Sequence, residues 1–236
     1  MKKALLTILA YILSPFVKLI RYGALKLMKA MHRPDDRRPA MAAASHLLEE
    51  TTLPFVFRIF QEKEFRRLAR FEKLPVSEHD RIFNELEVAG ICMLQYSLAE
   101  AKQYVKDGSF HFWSGVEEEL SRQLQKILES FGISSSNAKL MRELVNMRWK
   151  EYEKFADQVW QADALMAVEV KESINKKFKG AAPEIKRLLS TVHAFAFGTV
   201  DHIRRGKIEE RDLLVRHLMT RLLILHNKIS RFVRKL

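Results

Sequence analysis

The chain has 236 residues, of which 47% are hydrophobic, with only 8 Gly and 6 Pro. This composition can bury a hydrophobic core, and it is not that of an intrinsically disordered protein. Because Cys92 is the single cysteine and no Asn-x-Ser/Thr acceptor occurs, an internal disulfide framework is excluded and a reducing, cytosolic surrounding is predicted for the body of the chain.

The net charge of +12 is concentrated at the two ends of the chain. Residues 1–40 hold nine Lys or Arg and two Asp, residues 213–236 hold six Lys or Arg and no acid, and the segment between them is close to neutral. An ordinary solvated surface mixes the two signs of charge. Both ends are therefore predicted to meet something anionic, either lipid or nucleic acid.

The opening segment, "MKKALLTILAYILSPFVKLI", has an uncharged run of 14 residues from Ala4 to Val17. As a helix this run would be about 21 Å long, shorter than a hydrocarbon core of about 30 Å. No small-residue cleavage site follows it closely, so a removed secretion signal is not predicted. Apolar residues recur every three or four positions as far as Met31, with basic residues mainly opposite, and this pattern predicts a basic amphipathic helix over about residues 4–31.

Three placements of this helix are open: in the plane of a membrane surface, across the membrane as a single-pass anchor, or packed in a soluble core. The in-plane placement is favoured because cationic residues occur among the apolar ones throughout. In either membrane placement the dense basic flank keeps the rest of the chain on the cytoplasmic side. The residues predicted to bind an anionic membrane surface are Leu5, Leu9, Ile12, Phe16, Lys18, Arg21, Lys26 and Lys29.

After a linker that ends near residue 39, helical periodicity continues to the C-terminus, and no alternating strand pattern stands out. The fold class is therefore predicted to be an all-α multi-helix bundle over residues 40–236, with a subdivision near 133–137. The predicted helices are about 40–53, ended by Pro54, then 54–75, 77–106, 116–131, 137–178, 183–205 and 209–236. The segment "VAGICMLQYSLA" is apolar nearly all round and is predicted to be deeply buried. The longest helix carries an apolar stripe that includes Leu140 and Met147.

Two aromatic groups are candidates for a surface that contacts a protein partner or a second copy of the chain. The connection "FHFW" holds Phe110, Phe112 and Trp113 between glycines, and the alternative is that it closes the end of the bundle core. Trp149 and Trp160 lie about 20° apart around an ideal helix, where ordinary helix packing is the alternative.

Catalytic and metal sites are not predicted. The Glu-x-x-His motif of carboxylate-bridged metal sites does not occur, and Cys92 lies in an apolar helix without a nearby base. His193, Asp201 and His202 share one helix, but no serine-nucleophile motif or phosphate-binding loop accompanies them. No cofactor or metal is expected.

The function favoured by the sequence is a non-enzymatic scaffold or adaptor on the cytoplasmic face of a membrane, as a peripheral protein or with a single-pass anchor. The first alternative is a nucleic-acid-binding helical protein, because "FRIFQEKEFRRLARFEK" interleaves aromatic and basic residues. Glutamates interrupt that run, which makes nucleic acid the less favoured partner. The second alternative is an enzyme or carrier with an apolar ligand pocket.

Overall fold

The computed structural model describes residues 20–30, 36–105, 109–169, 183–209 and 212–236, with the backbone alone over 159–169 and 183–186. Every regular element in these ranges is helical, and the protein is an all-α multi-helix bundle, as predicted. The α-helices are α1 (20–30), α2 (Arg38–His46), α3 (Leu53–Gln61), α4 (Lys63–Leu68), α5 (Val76–Ala101), α6 (Phe110–Ser130), α7 (Ser135–Glu169), α8 (Pro183–Arg204) and α9 (Leu213–Lys235). A π-helical turn, Leu47–Thr52, and short 3-10 turns, Phe71–Lys73 and Lys102–Tyr104, connect them.

Helix α5 lies at the centre of the bundle. It packs against α3, α7, α8 and α9, while α2 packs on α6 and α7 on α8. Every residue from Val88 to Leu94 is buried, which confirms the predicted deep burial of this segment. Gly90 allows a close approach, because a methyl group added there would overlap the buried Val56 side chain of α3. Burial also raises the pKa of the Cys92 thiol, so this cysteine is an inert core residue.

The chain remains helical through Pro54, where the sequence predicted a break. Proline cannot donate a backbone hydrogen bond, and inside an ordinary α-helix it would also clash with the preceding turn. The π-helical turn removes this conflict, since the Leu53 amide donates to the carbonyl of Leu48, five residues back, and Pro54 falls at the start of α3. The predicted break in the chain at Pro54 is therefore wrong, whereas the predicted start of a helix at this proline is confirmed.

The start of α6 and the inward face of α7 also differ from the prediction. Helix α6 begins at Phe110, so "FHFW" forms its first turn and not a connection. On α7, Leu140 and Met147 are more than half exposed, whereas Val145 and Tyr152 are buried against the neighbouring helices. The predicted stripe on α7 is thus wrong at Leu140 and Met147.

The junction between α8 and α9 is fixed by arginines that bind helix ends. Arg81 of α5 donates to the carbonyl oxygens of His202 and Ile203 at 2.8 and 2.9 Å, which satisfies the C-terminal end of α8. Asp212 caps α9 by accepting from the Leu214 amide at 2.9 Å. Its carboxylate also pairs with Arg204 at 2.9 Å, and both side chains are largely buried. These contacts set the position at which α9 returns along α5.

Candidate functional site

The N-terminal helix α1 and the C-terminal helix α9 meet on one side of the bundle. Leu25 of α1 is 5% exposed and belongs to the hydrophobic core. The Tyr22 ring meets the edge of Phe232 of α9 at a centroid distance of 6.1 Å, and His46 stacks on Phe232 at 4.9 Å. The two basic helices α1 and α9 are therefore neighbours in the fold.

The side of α1 that faces the bundle carries polar contacts as well as Leu25. Arg21 forms an ion pair with Glu50 of the π-helical turn. The Lys29 amine lies 5.4 Å from the ring centroid of Trp113, within the range of a cation–π contact. Burial in this position, with a smaller contribution from Lys26, lowers the pKa of Lys29. Much of the basic character of α1 is thus directed toward the bundle and its margins.

The opposite side of α1 is apolar and exposed. Ile20 is 71% exposed and Leu27 is 62% exposed, and Gly23 and Ala24 on the same helical face are also exposed. We call Ile20, Gly23, Ala24 and Leu27 the outward stripe. Ile20, Ala24 and Leu27 belong to the apolar stripe predicted for residues 4–31, and Gly23 lies between them on the same face. A contiguous apolar surface of this kind, rimmed by basic residues, is typical of a site that contacts a membrane or a protein.

A concave site lies beside α1, between α3, the π-helical turn and α9. Its volume is about 400 Å³. Two aromatic and four cationic side chains contribute to its lining, and we call it the basic cavity; these residues are Tyr22, Phe232, Arg58, Lys228, Arg231 and Lys235. The three cations from α9 share one helical face because they are spaced at three and four residues.

The electrostatics of the basic cavity are strongly positive. The Lys228 amine lies 4.7 Å from the ring centroid of Phe55, and the Arg58 guanidinium lies 5.7 Å from the same ring. Burial, followed by repulsion from Arg58, lowers the pKa of Lys228. Among the described residues that line the cavity, Glu50 carries the only carboxylate, and it already pairs with Arg21. The described lining therefore has an excess of positive charge.

Three of the predicted membrane-binding residues lie on α1: Lys26 borders the outward stripe, whereas Arg21 and Lys29 contact the bundle. The Lys26 amine lies 5.4 Å from the Tyr22 ring centroid, at the margin between this stripe and the basic cavity. The other predicted membrane-binding residues lie outside the described residues; they are Leu5, Leu9, Ile12, Phe16 and Lys18.

The aromatic residues predicted for a partner surface are separated by the fold. Phe112 and Trp113 are buried in the hydrophobic core, whereas Phe110 is about half exposed. Trp149 is partly buried and meets the edge of Phe195 at 6.1 Å. The side chain of Trp160 lies outside the described residues.

The basic cavity could not be predicted from the sequence. The basic residues over 213–236 were predicted to meet something anionic, whereas Arg58 lies in a run that glutamates interrupt. The available signal was the complete lack of acids over 213–236, together with the spacing of Lys228, Arg231 and Lys235. Their convergence with Arg58 depends on the packing of α3 against the bundle and could not be seen in the sequence.

A buried polar cluster between α5 and α9 has the residue types of a catalytic triad. His226 Nδ1 lies 3.0 Å from Ser97 Oγ, and Nε2 lies 3.3 Å from a Glu100 carboxylate oxygen. Ser97 is fully buried, however, and its hydroxyl donates to the Met93 carbonyl at 2.6 Å. A nucleophile must reach a substrate, so this arrangement is a structural hydrogen-bond network.

Comparison with known proteins gives no further assignment. No protein-family model matches the chain, and no curated protein or solved structure matches it. Within the described residues, no helix is long and apolar enough to cross a membrane. The same residues hold no group of three or more His, Cys, Asp or Glu arranged to bind a metal ion.

Proposed function

We propose that the protein is a non-enzymatic scaffold or adaptor attached to the cytoplasmic face of a membrane. The observation that carries this proposal is the orientation of α1, which packs on the bundle through Leu25 and leaves Ile20 and Leu27 in contact with water. Exposed apolar surface of this size is unfavourable in water by about 25 cal/mol per Å² and is relieved by insertion among lipid chains.

The charge on and beside α1 supports an anionic membrane as the partner. Lys26 lies next to the outward stripe on α1, and Tyr22 of the same helix lines the basic cavity. Each basic residue held near an anionic bilayer contributes about 1 kcal/mol of attraction, and anionic lipids are concentrated on the cytoplasmic leaflet. The helical body would then stay in water, where it can contact a protein partner or a second copy of the chain.

The proposal is tested by flotation of the full chain with anionic vesicles. Replacing Ile20 and Leu27 together by Asp places two charges on the lipid-facing side, and we expect vesicle affinity to fall by more than about tenfold. The matched control replaces Val76 and Leu213 by Asp, because these residues are 72% and 58% exposed on other helices. The control should float like the parent chain.

Two results would contradict the proposal. In the first, the two double variants float equally well. In the second, the full chain fails to bind anionic vesicles but binds a nucleic-acid oligonucleotide in a salt-sensitive manner, which would favour the nucleic-acid alternative.

A further inference from the structure

The basic cavity is a place where positive charge has no internal partner. Some long cationic side chains elsewhere in the bundle pair with carboxylates, as Arg148 does with Glu85 and Arg221 does with Glu62, each at 3.0 Å. Among the described residues, neither Arg231 nor Lys235 forms an ion pair. The site therefore concentrates positive potential in a concave surface, which attracts anions more strongly than a flat one.

Two of the cations are also held close together at some energetic cost. Arg58 and Lys228 both lie over the Phe55 ring, where their positive charges repel each other. A bound anion would relieve this repulsion. Thr51 also lines the cavity, and its hydroxyl can donate a hydrogen bond to an oxyanion.

The size of the cavity restricts the anion. About 400 Å³ is within the range of small-molecule pockets. Several cations around one concavity suit a compact group with more than one negative charge, and an Arg fork matches the geometry of phosphate oxygens. Tyr22 of α1 forms one wall, so the cavity lies beside the helix whose outward stripe is proposed to enter the membrane.

We propose that the basic cavity binds the phosphomonoester headgroup of a membrane lipid. This inference rests on the proposed function, since the lipid would be held in the bilayer that α1 contacts. The cavity would make membrane binding selective. With a general attraction alone, affinity would depend only on the total charge of the membrane surface. The cavity would also distinguish a lipid with a phosphomonoester from a lipid whose phosphate is a diester.

The test compares neutral vesicles doped with phosphatidylinositol bisphosphate and vesicles doped with phosphatidylserine, matched in surface charge. We expect the parent chain to bind the first kind about tenfold more tightly. The cavity variant replaces Arg58, Lys228 and Arg231 by Gln. It should lose this preference and keep its binding to phosphatidylserine vesicles within about threefold.

The matched control removes the same charge from α6 and α7 by replacing Lys126, Lys150 and Lys154, which are exposed and do not line the cavity, by Gln. It should keep the preference. Equal losses in the control and cavity variants would overturn the inference, as would equal binding of both vesicle types by the parent chain. If the triple variant does not fold, Arg231→Glu, at an exposed position, gives the same comparison.

Free inositol trisphosphate separates the lipid from a soluble phosphate. The double variant at Ile20 and Leu27, which keeps the cavity, is titrated with it by calorimetry. Weak or absent binding, with vesicle preference in the parent chain, supports the lipid as ligand. Tight binding of the free phosphate without vesicle preference would overturn the lipid assignment, and failure of the parent chain to bind any vesicle would instead contradict the membrane function itself.

Discussion

Helices α5 and α1 are both rich in apolar residues, yet the fold uses them in opposite ways. Helix α5 is surrounded by four other helices and buries its apolar centre without interruption. Among the described residues of α1, Leu25 alone is buried, and the apolar outward stripe faces water. The apolar surface of α5 is already buried within the bundle, whereas α1 retains exposed apolar surface that a partner can still bury.

The difference follows from how polar residues are distributed around each helix. The centre of α5 has no charged side chain from Val88 to Ala99, so every side of it can face a neighbouring helix. The surface of α1 is divided by three basic residues, Arg21, Lys26 and Lys29. Only a narrow face near Leu25 can therefore enter the core without burying a charge. Apolar residues that recur with the helical period therefore predict a helix, but they do not predict what covers its apolar side.

The largest expected effect is a difference in protein stability between a substitution in α5 and a substitution in α1. Leu94→Ala in α5 removes a fully buried side chain and leaves a cavity, so the free energy of unfolding should fall by about 3 kcal/mol. Leu27→Ala in α1 removes an exposed side chain and should change it by less than about 0.5 kcal/mol. Urea denaturation of both variants measures the difference. A comparable loss in Leu27→Ala would mean that α1 belongs to the core, and the comparison would fail.

The next largest effect is expected in the polar network at the end of α5, when the pH is lowered. Burial, together with Arg234, lowers the pKa of His226 to about 4 from its usual 6.5 and outweighs the nearby Glu100 carboxylate, whose own pKa is raised by burial. The unfolded chain therefore binds the proton more tightly. The neutral ring contributes its full stability above about pH 6.5 and loses it as the pH falls toward 4, a loss of about 3 kcal/mol.

The measurement for His226 is the free energy of unfolding as a function of pH, in the parent chain and in His226→Gln. Gln cannot titrate, so the variant should be less stable than the parent at pH 7 and closer to it near pH 4.5. The difference between the two curves removes the titration of groups that do not contact His226; Glu100, which does, is held constant by comparing the two curves in a Glu100→Gln background. A constant difference across this range would contradict the assignment of the acid sensitivity to His226.

The fold class and the burial of α5 could be predicted from the sequence because helical period and side-chain polarity are local properties. The helical path through Pro54 could not be predicted, because a π-helical turn replaces the expected break. No rule for proline alone predicts such a turn. The inward face of α7 was wrong at Leu140 because the neighbouring helices decide which side of a mixed surface is buried.

The candidate site was predicted only in part, for the same reason. The outward stripe continues a pattern that is visible in the sequence, and α1 keeps it exposed. The basic cavity combines Arg58 with Lys228 and Arg231, which lie far apart in the chain and meet only through packing of α3, the π-helical turn and α9. The boundaries of the two predicted domains and the partner surface stay predictions.

The smallest expected effects come from the same substitution, Gly→Ala, made once in each helix. At Gly90 of α5 the added methyl group overlaps Val56, a stiff β-branched side chain that is itself buried. Ala is favoured over Gly in a helix by about 1 kcal/mol, but overpacking of a core costs about 1–3 kcal/mol. We therefore expect Gly90→Ala to lower the free energy of unfolding by about 1 kcal/mol.

At Gly23 of α1 no atom of another residue lies near the added methyl group. Gly23→Ala should therefore stabilise α1 locally by up to about 1 kcal/mol through helix propensity alone. Hydrogen exchange of the amides over 20–30 measures this as slower exchange, while the urea midpoint of the whole chain should hardly move, because α1 contributes little to the core. The methyl group also adds to the outward stripe, so anionic vesicle binding should be equal or slightly tighter. Weaker vesicle binding, with slower amide exchange as expected, would show that this face of α1 needs a close approach to something other than lipid, and the membrane orientation of α1 would have to be abandoned.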